Sequence, residues 1–179
     1  MLHRKINIQR MKSFTEKELM DRAYQLGFEY EKTRHVCSQC VVAALEKIMG
    51  IEDEAIFQAS YPLGGGLGST TEGTCGALSG GAMILGYLFG RNRQEFDKGV
   101  SNKEATYFAK KLYEKFVQEY GSCRCKDVQM KLFGRSFDFW DEQDRKAFEE
   151  AGGHSDKCPV VVGKTCAWTV SVIRNQLLS

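Results

Sequence analysis

Proline and net charge are both scarce in this chain. Only two prolines occur in 179 residues, so little interrupts the long periodic stretches that indicate helices. The formal net charge is +2, which gives no electrostatic reason to expect a nucleic-acid partner. Because the hydrophobic fraction of 42% and the charged fraction of 27% are ordinary for a globular protein, we expect one compact all-α domain.

Long hydrophobic runs are also missing. The longest nearly uncharged stretch, residues 73–90, is rich in glycine and shorter than the ~20 apolar residues that span a bilayer. The basic segment 1–12 lacks the apolar run of roughly 7–15 residues that a secretory signal needs. We therefore expect no membrane span and a cytoplasmic location. A loose basic arm over residues 1–12 would precede a single helical domain over residues 13–179.

The cysteine count limits the chemistry. Seven cysteines cannot all pair internally, and their share is well below the roughly 8–10% of disulfide scaffolds. In a cytosolic protein, clustered cysteines more often indicate metal or redox chemistry. The pair Cys37-x-x-Cys40 is followed by Val41 instead of histidine, so we expect no covalent haem.

The glycine-rich segment does not have the register of a nucleotide loop. A G-x-G-x-x-G pattern starting at Gly66 would need glycine where Thr71 stands. Gly68 and Gly73 have the spacing of a phosphate loop, but the lysine and hydroxyl residue that should follow are Thr74 and Cys75. We therefore expect no bound nucleotide.

Helix signals run through most of the chain. Capping boxes are predicted at Thr15 with Glu18 and at Ser101 with Glu104. The glycine-rich loop precedes an apolar segment in which glycine and alanine recur at spacings near four. Small residues at that spacing allow another backbone to approach closely. The sequence thus predicts a single multi-helix domain with a glycine-rich central helix and a glycine-rich loop ahead of it.

Four cysteines stand where helices are predicted to begin. They are Cys37, Cys75, Cys125 and Cys158. A helix N-terminus carries partial positive charge and favours thiolate over thiol. We expect these four side chains to converge, as reactive thiols or as ligands of a metal or iron–sulfur cluster.

Other residues are candidates around this site. Backbone N–H groups of the loop could bind an anion or the sulfurs of a cluster. The loop positions concerned are Gly65, Gly66, Gly68, Gly73, Thr74 and Gly76. His35 and His154 precede Cys37 and Cys158 and could be ligands or their neighbours. Cys166 is interpreted as a core residue, and the membership of Cys40 and Cys123 stays open.

These positions resemble a known family. The chain resembles, from about Phe14 to its C-terminus, the redox-active protein family named for its cysteine pattern C_GCAxxG_C_C, which is related to part of the split-Soret cytochromes. The strongest stretch is the loop that leads into Gly73-Thr74-Cys75-Gly76-Ala77. Cys37, Cys125 and Cys158 match the other cysteines. The resemblance implies redox activity and names no cofactor or reaction.

Redox chemistry is therefore the leading hypothesis. It could proceed by electron transfer through a thiolate-bound metal or iron–sulfur centre, or by reversible oxidation of the same thiols. The alternatives are a structural zinc protein, a non-catalytic interaction protein, and an enzyme with Cys75 as nucleophile. A redox partner protein is expected. The electron donor and acceptor, any substrate, and homo-oligomerisation are left open.

Overall fold

Residues 7–178 are described by a computed structural model, and this part of the chain is helical without a β-strand. The prediction of an all-α fold is confirmed. A 3-10 turn covers Tyr61–Leu63, and a π-helical turn covers Gly153–Lys157. The α-helices are α1 (Ile8–Lys12), α2 (Glu16–Arg34), α3 (Cys37–Met49), α4 (Glu54–Ser60), α5 (Gly76–Phe89), α6 (Arg93–Asp97), α7 (Lys103–Tyr120), α8 (Cys125–Phe133), α9 (Glu142–Glu150) and α10 (Cys158–Leu178).

The glycine-rich helix α5 lies at the centre of the bundle. It packs against α3, α7 and α10. A Cβ atom built on Gly80 would stand 2.6 Å from the carbonyl oxygen of Ser38 in α3. One built on Gly81 would stand 2.7 Å from Leu112 in α7. These glycines therefore permit the close approach of two neighbouring helices, as the spacing of small residues predicts.

Helices α2 and α10 make the most extensive helix–helix contact of the fold. A Cβ on Gly27 would stand 2.6 Å from the sulfur of Cys166. A Cβ on Gly163 would stand 2.9 Å from the carbonyl oxygen of Tyr24. We call this contact, formed by Tyr24, Gly27, Gly163 and Cys166, the α2–α10 seam. Cys166 is fully buried in it, which confirms its interpretation as a core residue.

Of the two predicted capping boxes, one is present and one is displaced. Thr15 and Glu18 form a capping box at the start of α2. The prediction that Ser101 caps α7 is wrong, because Asn102 performs that role. Its side-chain oxygen accepts from the N–H of Glu104 at 3.0 Å, while its amide donates to the carbonyl of Phe89 at 2.6 Å. Asn102 is selected because one side chain satisfies the start of α7 and the end of α5 together.

The segment predicted as a basic arm lies partly within the described residues. Residues 1–6 lie outside them. Helix α1 follows, and the side chain of Met11 is fully buried in the core. The N–H of Asn7 donates to the carbonyl of Met49 at 3.2 Å. Within residues 7–178, none of the helices has both the length and the apolar character needed to cross a membrane.

Candidate redox site: a cavity lined by four cysteines

Four helix starts meet at one cavity of about 690 Å³. Its wall includes Cys37, Cys75, Cys125 and Cys158. Cys37, Cys125 and Cys158 are the first residues of α3, α8 and α10, and Cys75 caps α5. The structure thus brings the four predicted thiols to one place. Their roles as ligands or reactive groups remain predictions.

The remaining three cysteines do not line this cavity. Cys166 belongs to the α2–α10 seam. Cys40 is buried, and its thiol donates to the carbonyl of His35 at 2.8 Å. Cys123 is half-buried, and its carbonyl accepts the N–H of Cys75 at 2.8 Å. These three cysteines therefore lie outside the cavity wall, and two of them hydrogen-bond to residues that belong to it.

The glycine-rich loop covers the cysteines with unusual backbone geometry. Positive φ angles occur at Gly65, Gly66 and Gly68, and also at the non-glycine residues Leu67, Ser69 and Thr71. Left-handed conformations of this kind cost non-glycine residues free energy unless the surroundings hold them. The N–H of Gly65 hydrogen-bonds to Cys37 and opposes the rise of its pKa.

Only part of the predicted loop set reaches the cavity. Gly65 and Gly68 line it, whereas Gly66, Gly73, Thr74 and Gly76 do not. A Cβ on Gly66 would stand 2.8 Å from the Cβ of Cys125, and one on Gly76 would stand 2.5 Å from the sulfur of Cys37. Thr74 forms an isolated antiparallel bridge with Arg124. The carbonyl of Gly73 accepts the N–H of Cys125 at 2.9 Å. These four residues hold the cysteines in place.

Cys37 and Cys75 contact one another in the cavity wall. Their side chains hydrogen-bond to one another, and this contact is the main cause of a pKa of Cys37 well above its ordinary value. Cys37 is half-buried, while Cys75 is 6% exposed. A thiol from the start of α3 therefore contacts a thiol from the start of α5.

The prediction that helix starts keep the thiols anionic is wrong for Cys37, Cys125 and Cys158. Burial raises the pKa of Cys125 to about 12 and, together with the Glu31 charge, raises the pKa of Cys158 well above its ordinary value. The Glu31 carboxylate also raises the pKa of Cys37. Desolvation and a like charge outweigh the helix N-terminus here. Cys37, Cys125 and Cys158 are therefore neutral thiols near pH 7.

Glu31 is a residue of the cavity wall that the sequence analysis missed. It is 2% exposed, and its Oε2 atom has no hydrogen-bond partner. Burial raises the pKa of Glu31 to about 7, while the adjacent Cys40 side chain opposes that rise. A signal was present, because Leu19, Ala23, Gly27 and Glu31 follow one another at four-residue spacing on the buried face of α2.

His154 connects Glu31 to the surface. Its Nε2 atom is 3.9 Å from Oε1 of Glu31, and its Nδ1 atom is 2.5 Å from Oε1 of Glu149. The His35 ring lies against it, with the ring centroids 4.0 Å apart. Burial lowers the pKa of His154, and the Glu149 carboxylate opposes that change. His154 therefore bridges a buried and an exposed carboxylate.

Gln129 supports another part of the wall. It is 2% exposed. Its side-chain amide lies 3.8 Å from the sulfur of Cys125, and its oxygen accepts the N–H of Phe137 at 2.8 Å. It thereby fixes Cys125 against the aromatic cluster around Phe148, which includes Phe137. On the sequence, Gln129 is an ordinary polar helix residue.

The donor set does not form a metal site in its present positions. Across the described residues 7–178, no three histidine, cysteine, aspartate or glutamate side chains gather closely enough to hold a metal ion. The four thiols line the same cavity, but they do not converge on a common centre. A thiolate-bound metal or cluster therefore does not fit the arrangement as it stands.

Comparison with known proteins identifies one family. Residues 35–172, well over half of the chain, match the family model described as "Putative redox-active protein (C_GCAxxG_C_C)". No curated protein and no solved structure shows significant similarity to the chain. The matched region contains the four cysteines of the cavity wall and the glycine-rich loop. The chain belongs to the C_GCAxxG_C_C family.

Proposed function

We propose that this protein is a thiol-based redox protein in which Cys37 and Cys75 form a disulfide reversibly. The observation that carries the proposal is the side-chain contact between these two thiols in the wall of an open cavity. Neighbouring thiols are the requirement for a reversible intramolecular disulfide. The family description as redox-active agrees with this chemistry.

The more accessible thiol, Cys37, makes the first attack. Its sulfur loses a proton and attacks one sulfur of a disulfide-bearing partner, whose S–S bond breaks. The partner sulfur that leaves takes up a proton. Cys75 then loses its proton and attacks the Cys37 sulfur of the mixed disulfide, which releases the second partner sulfur as a thiol. The partner gains two electrons, and the Cys37–Cys75 pair loses two.

The backbone stabilises the attacking sulfur. The N–H of Gly65 donates to Cys37 and favours its anionic form. Cys37 also occupies the first position of α3, a helix of 13 residues. These contributions assist the thiolate once it has formed. Because burial and nearby charge keep the resting thiol protonated, the reaction also needs a proton acceptor.

Equilibration with glutathione tests the proposal. The protein is held in mixtures of reduced and oxidised glutathione, its free thiols are alkylated, and the disulfide-linked peptides are identified by mass spectrometry. A Cys37–Cys75 disulfide should appear as the mixture becomes oxidising and disappear in the reverse direction. Cys37→Ser and Cys75→Ser should abolish it. Cys123→Ser, a change of a half-buried cysteine outside the cavity, is the matched control. Free Cys37 and Cys75 thiols at every ratio would contradict the proposal.

A thiolate-bound metal or iron–sulfur centre is the second candidate. It is favoured by four thiols in one cavity wall, and it requires them to move closer together. Anaerobic purification followed by metal analysis and a visible spectrum separates the two candidates. Iron with charge-transfer absorption that disappears in Cys125→Ser and Cys158→Ser would favour a cluster. Stoichiometric zinc without redox activity would favour a structural site.

A further inference from the structure

We infer that Glu31, His154 and Glu149 form a proton relay between the cysteine cavity and solvent, in which Glu31 accepts the proton of Cys37. The inference rests on the proposed function, since thiol–disulfide exchange requires each attacking thiol to lose a proton. It assigns a role to three residues that no cysteine pattern identifies.

The three residues follow one another from the cavity wall to the protein surface. Glu31 and Cys37 both line the cavity, where the Glu31 charge acts on the Cys37 thiol, and the side chain of Cys40 hydrogen-bonds to Glu31 from behind. Its Oε1 atom is 3.9 Å from Nε2 of His154, whose Nδ1 is 2.5 Å from Oε1 of Glu149. The Glu149 side chain is 53% exposed. The path therefore runs from a 2% exposed carboxylate to one in contact with bulk water.

The imidazole is suited to the middle of such a path. Its two nitrogens can accept a proton on one side and donate one on the other. The His35 ring lies 4.0 Å away, and Phe148 packs edge-on against His154 with the centroids 5.0 Å apart. These rings fix the imidazole between the two carboxylates. The His154 side chain itself is 22% exposed.

Glu31 has the properties of a proton acceptor and lacks those of a structural ion pair. Its Oε2 atom is buried without a hydrogen-bond partner. Among the described residues, no lysine or arginine forms a salt bridge with it, and the His154 imidazole is the nearest basic group that contacts it. A pKa of about 7 suits a general base at neutral pH. The titratable groups that face Glu31 are Cys37 and Cys40 from α3, Cys125 from α8, Cys158 and Cys166 from α10, His154 from the π-helical turn and Glu149 from α9.

The sign of the Glu31→Gln effect distinguishes a base from a mere charge. If Glu31 acts only as a negative charge, its removal lowers the pKa of Cys37 and makes Cys37 react faster. If Glu31 accepts the proton, its removal makes Cys37 react more slowly. Glutamine keeps the size and shape of the side chain, so the two outcomes can be compared in nearly the same cavity.

The experiment measures Cys37 alkylation by iodoacetamide between pH 5 and pH 9, quantified by peptide mass spectrometry. In this reaction a carbon–sulfur bond forms, iodide leaves and the thiol proton goes to the base. We expect Glu31→Gln to slow the reaction roughly 100-fold at pH 7, the lower end of general-base contributions, and to remove the inflection near pH 7. His154→Ala should show a similar loss that added imidazole restores. Glu149→Gln should cause a smaller loss, because water can replace an exposed carboxylate.

The matched control is Glu46→Gln. Glu46 is also a buried glutamate, 7% exposed, but it accepts the N–H of Asp53 at 3.0 Å and lies outside the cavity wall. Its variant should alkylate like the wild type. An unchanged or faster rate in Glu31→Gln would overturn the relay. Because alkylation needs no disulfide, this result stands apart from the glutathione experiment, in which Glu31→Gln should form the same disulfide at equilibrium but more slowly.

Discussion

The α2–α10 seam and the cysteine cavity meet on one face of the same helix. Gly27 and Glu31 are one turn apart on α2, and both are buried. At Gly27 the partner helix approaches so closely that a methyl group would overlap the Cys166 sulfur. At Glu31 the packing opens into a cavity of about 690 Å³ that encloses an ionisable group. Over one helical turn the fold changes from close packing, which gives stability, to an open wall with a buried carboxylate, which gives reactivity at a cost in stability.

The largest expected difference between the two regions is the pH dependence that Glu31 gives to the free energy of unfolding. Below about pH 4.5 this carboxyl is protonated in the folded and unfolded chain alike, and above about pH 7 it is ionised in both. Because folding raises its pKa, the free energy of unfolding falls as pH rises through this window. Glu31→Gln should therefore be more stable than the wild type by roughly 3 kcal/mol above pH 7 and nearly equal to it below pH 4.5. Urea unfolding at several pH values measures the difference, and a constant gap across the range would contradict it.

Next in size is the closure of the seam. Gly163→Ala places a methyl group against the Tyr24 backbone, and overpacking of this kind costs about 2 kcal/mol. Gly86→Ala is the control, since Gly86 lies in helix α5 with nothing within 4 Å of the added Cβ. That variant should gain up to about 1 kcal/mol from helix propensity. Equal effects of the two substitutions in urea unfolding would show that the seam is not close-packed.

A substitution in the cavity wall should change both the stability of the fold and the pKa of a cavity thiol. Gln129→Met keeps most of the side-chain volume but leaves the N–H of Phe137 without its acceptor. An unsatisfied buried donor costs about 1–3 kcal/mol. The pKa of Cys125 should also rise, because its contact with the Gln129 amide lowers it. Unfolding measurements and thiol titration by absorbance test both expectations. A Cys125 pKa that does not change would show that the Gln129 amide does not act on the thiol.

The smallest effect on stability is expected at the rim. Trp140 is 77% exposed and donates through Nε1 to the carbonyl of Gly68 at 3.0 Å. Trp140→Phe should change the free energy of unfolding by less than about 0.5 kcal/mol. Because Trp140 also lines the cavity, loss of the indole should alter the rate of Cys37 alkylation. A large loss of stability would contradict this prediction and show that Trp140 contributes to the folding free energy as a core residue does.

The sequence predicted the parts of this architecture that depend on local signals. The helix starts at Cys37, Cys125 and Cys158 and the glycine-rich central helix were readable, because caps, periodicity and small-residue spacing act within a few residues. The chemistry around the cysteines was not readable in the same way. The thiol pKa values depend on burial and on a carboxylate that α10 and α3 enclose, and both follow from tertiary packing.

Glu31 and Gln129 illustrate that limit. Each stands among charged or polar neighbours and has the composition of a solvated helix face. Their burial arises only when α10 and the aromatic cluster pack over them. For Glu31, the four-residue spacing from Leu19 through Gly27 was a usable sign that the buried face continues. For Gln129, no comparable pattern precedes it.

The hydrogen bond between Cys37 and Cys75 joins the beginnings of two central helices whose positions in the chain are far apart. A covalent bond there would close everything from α3 to the start of α5 into a ring, including the whole glycine-rich loop. Such a ring restricts the unfolded chain. The oxidised protein should therefore melt at a higher temperature than the reduced one, so that a simple heating curve would reveal which redox state it occupies.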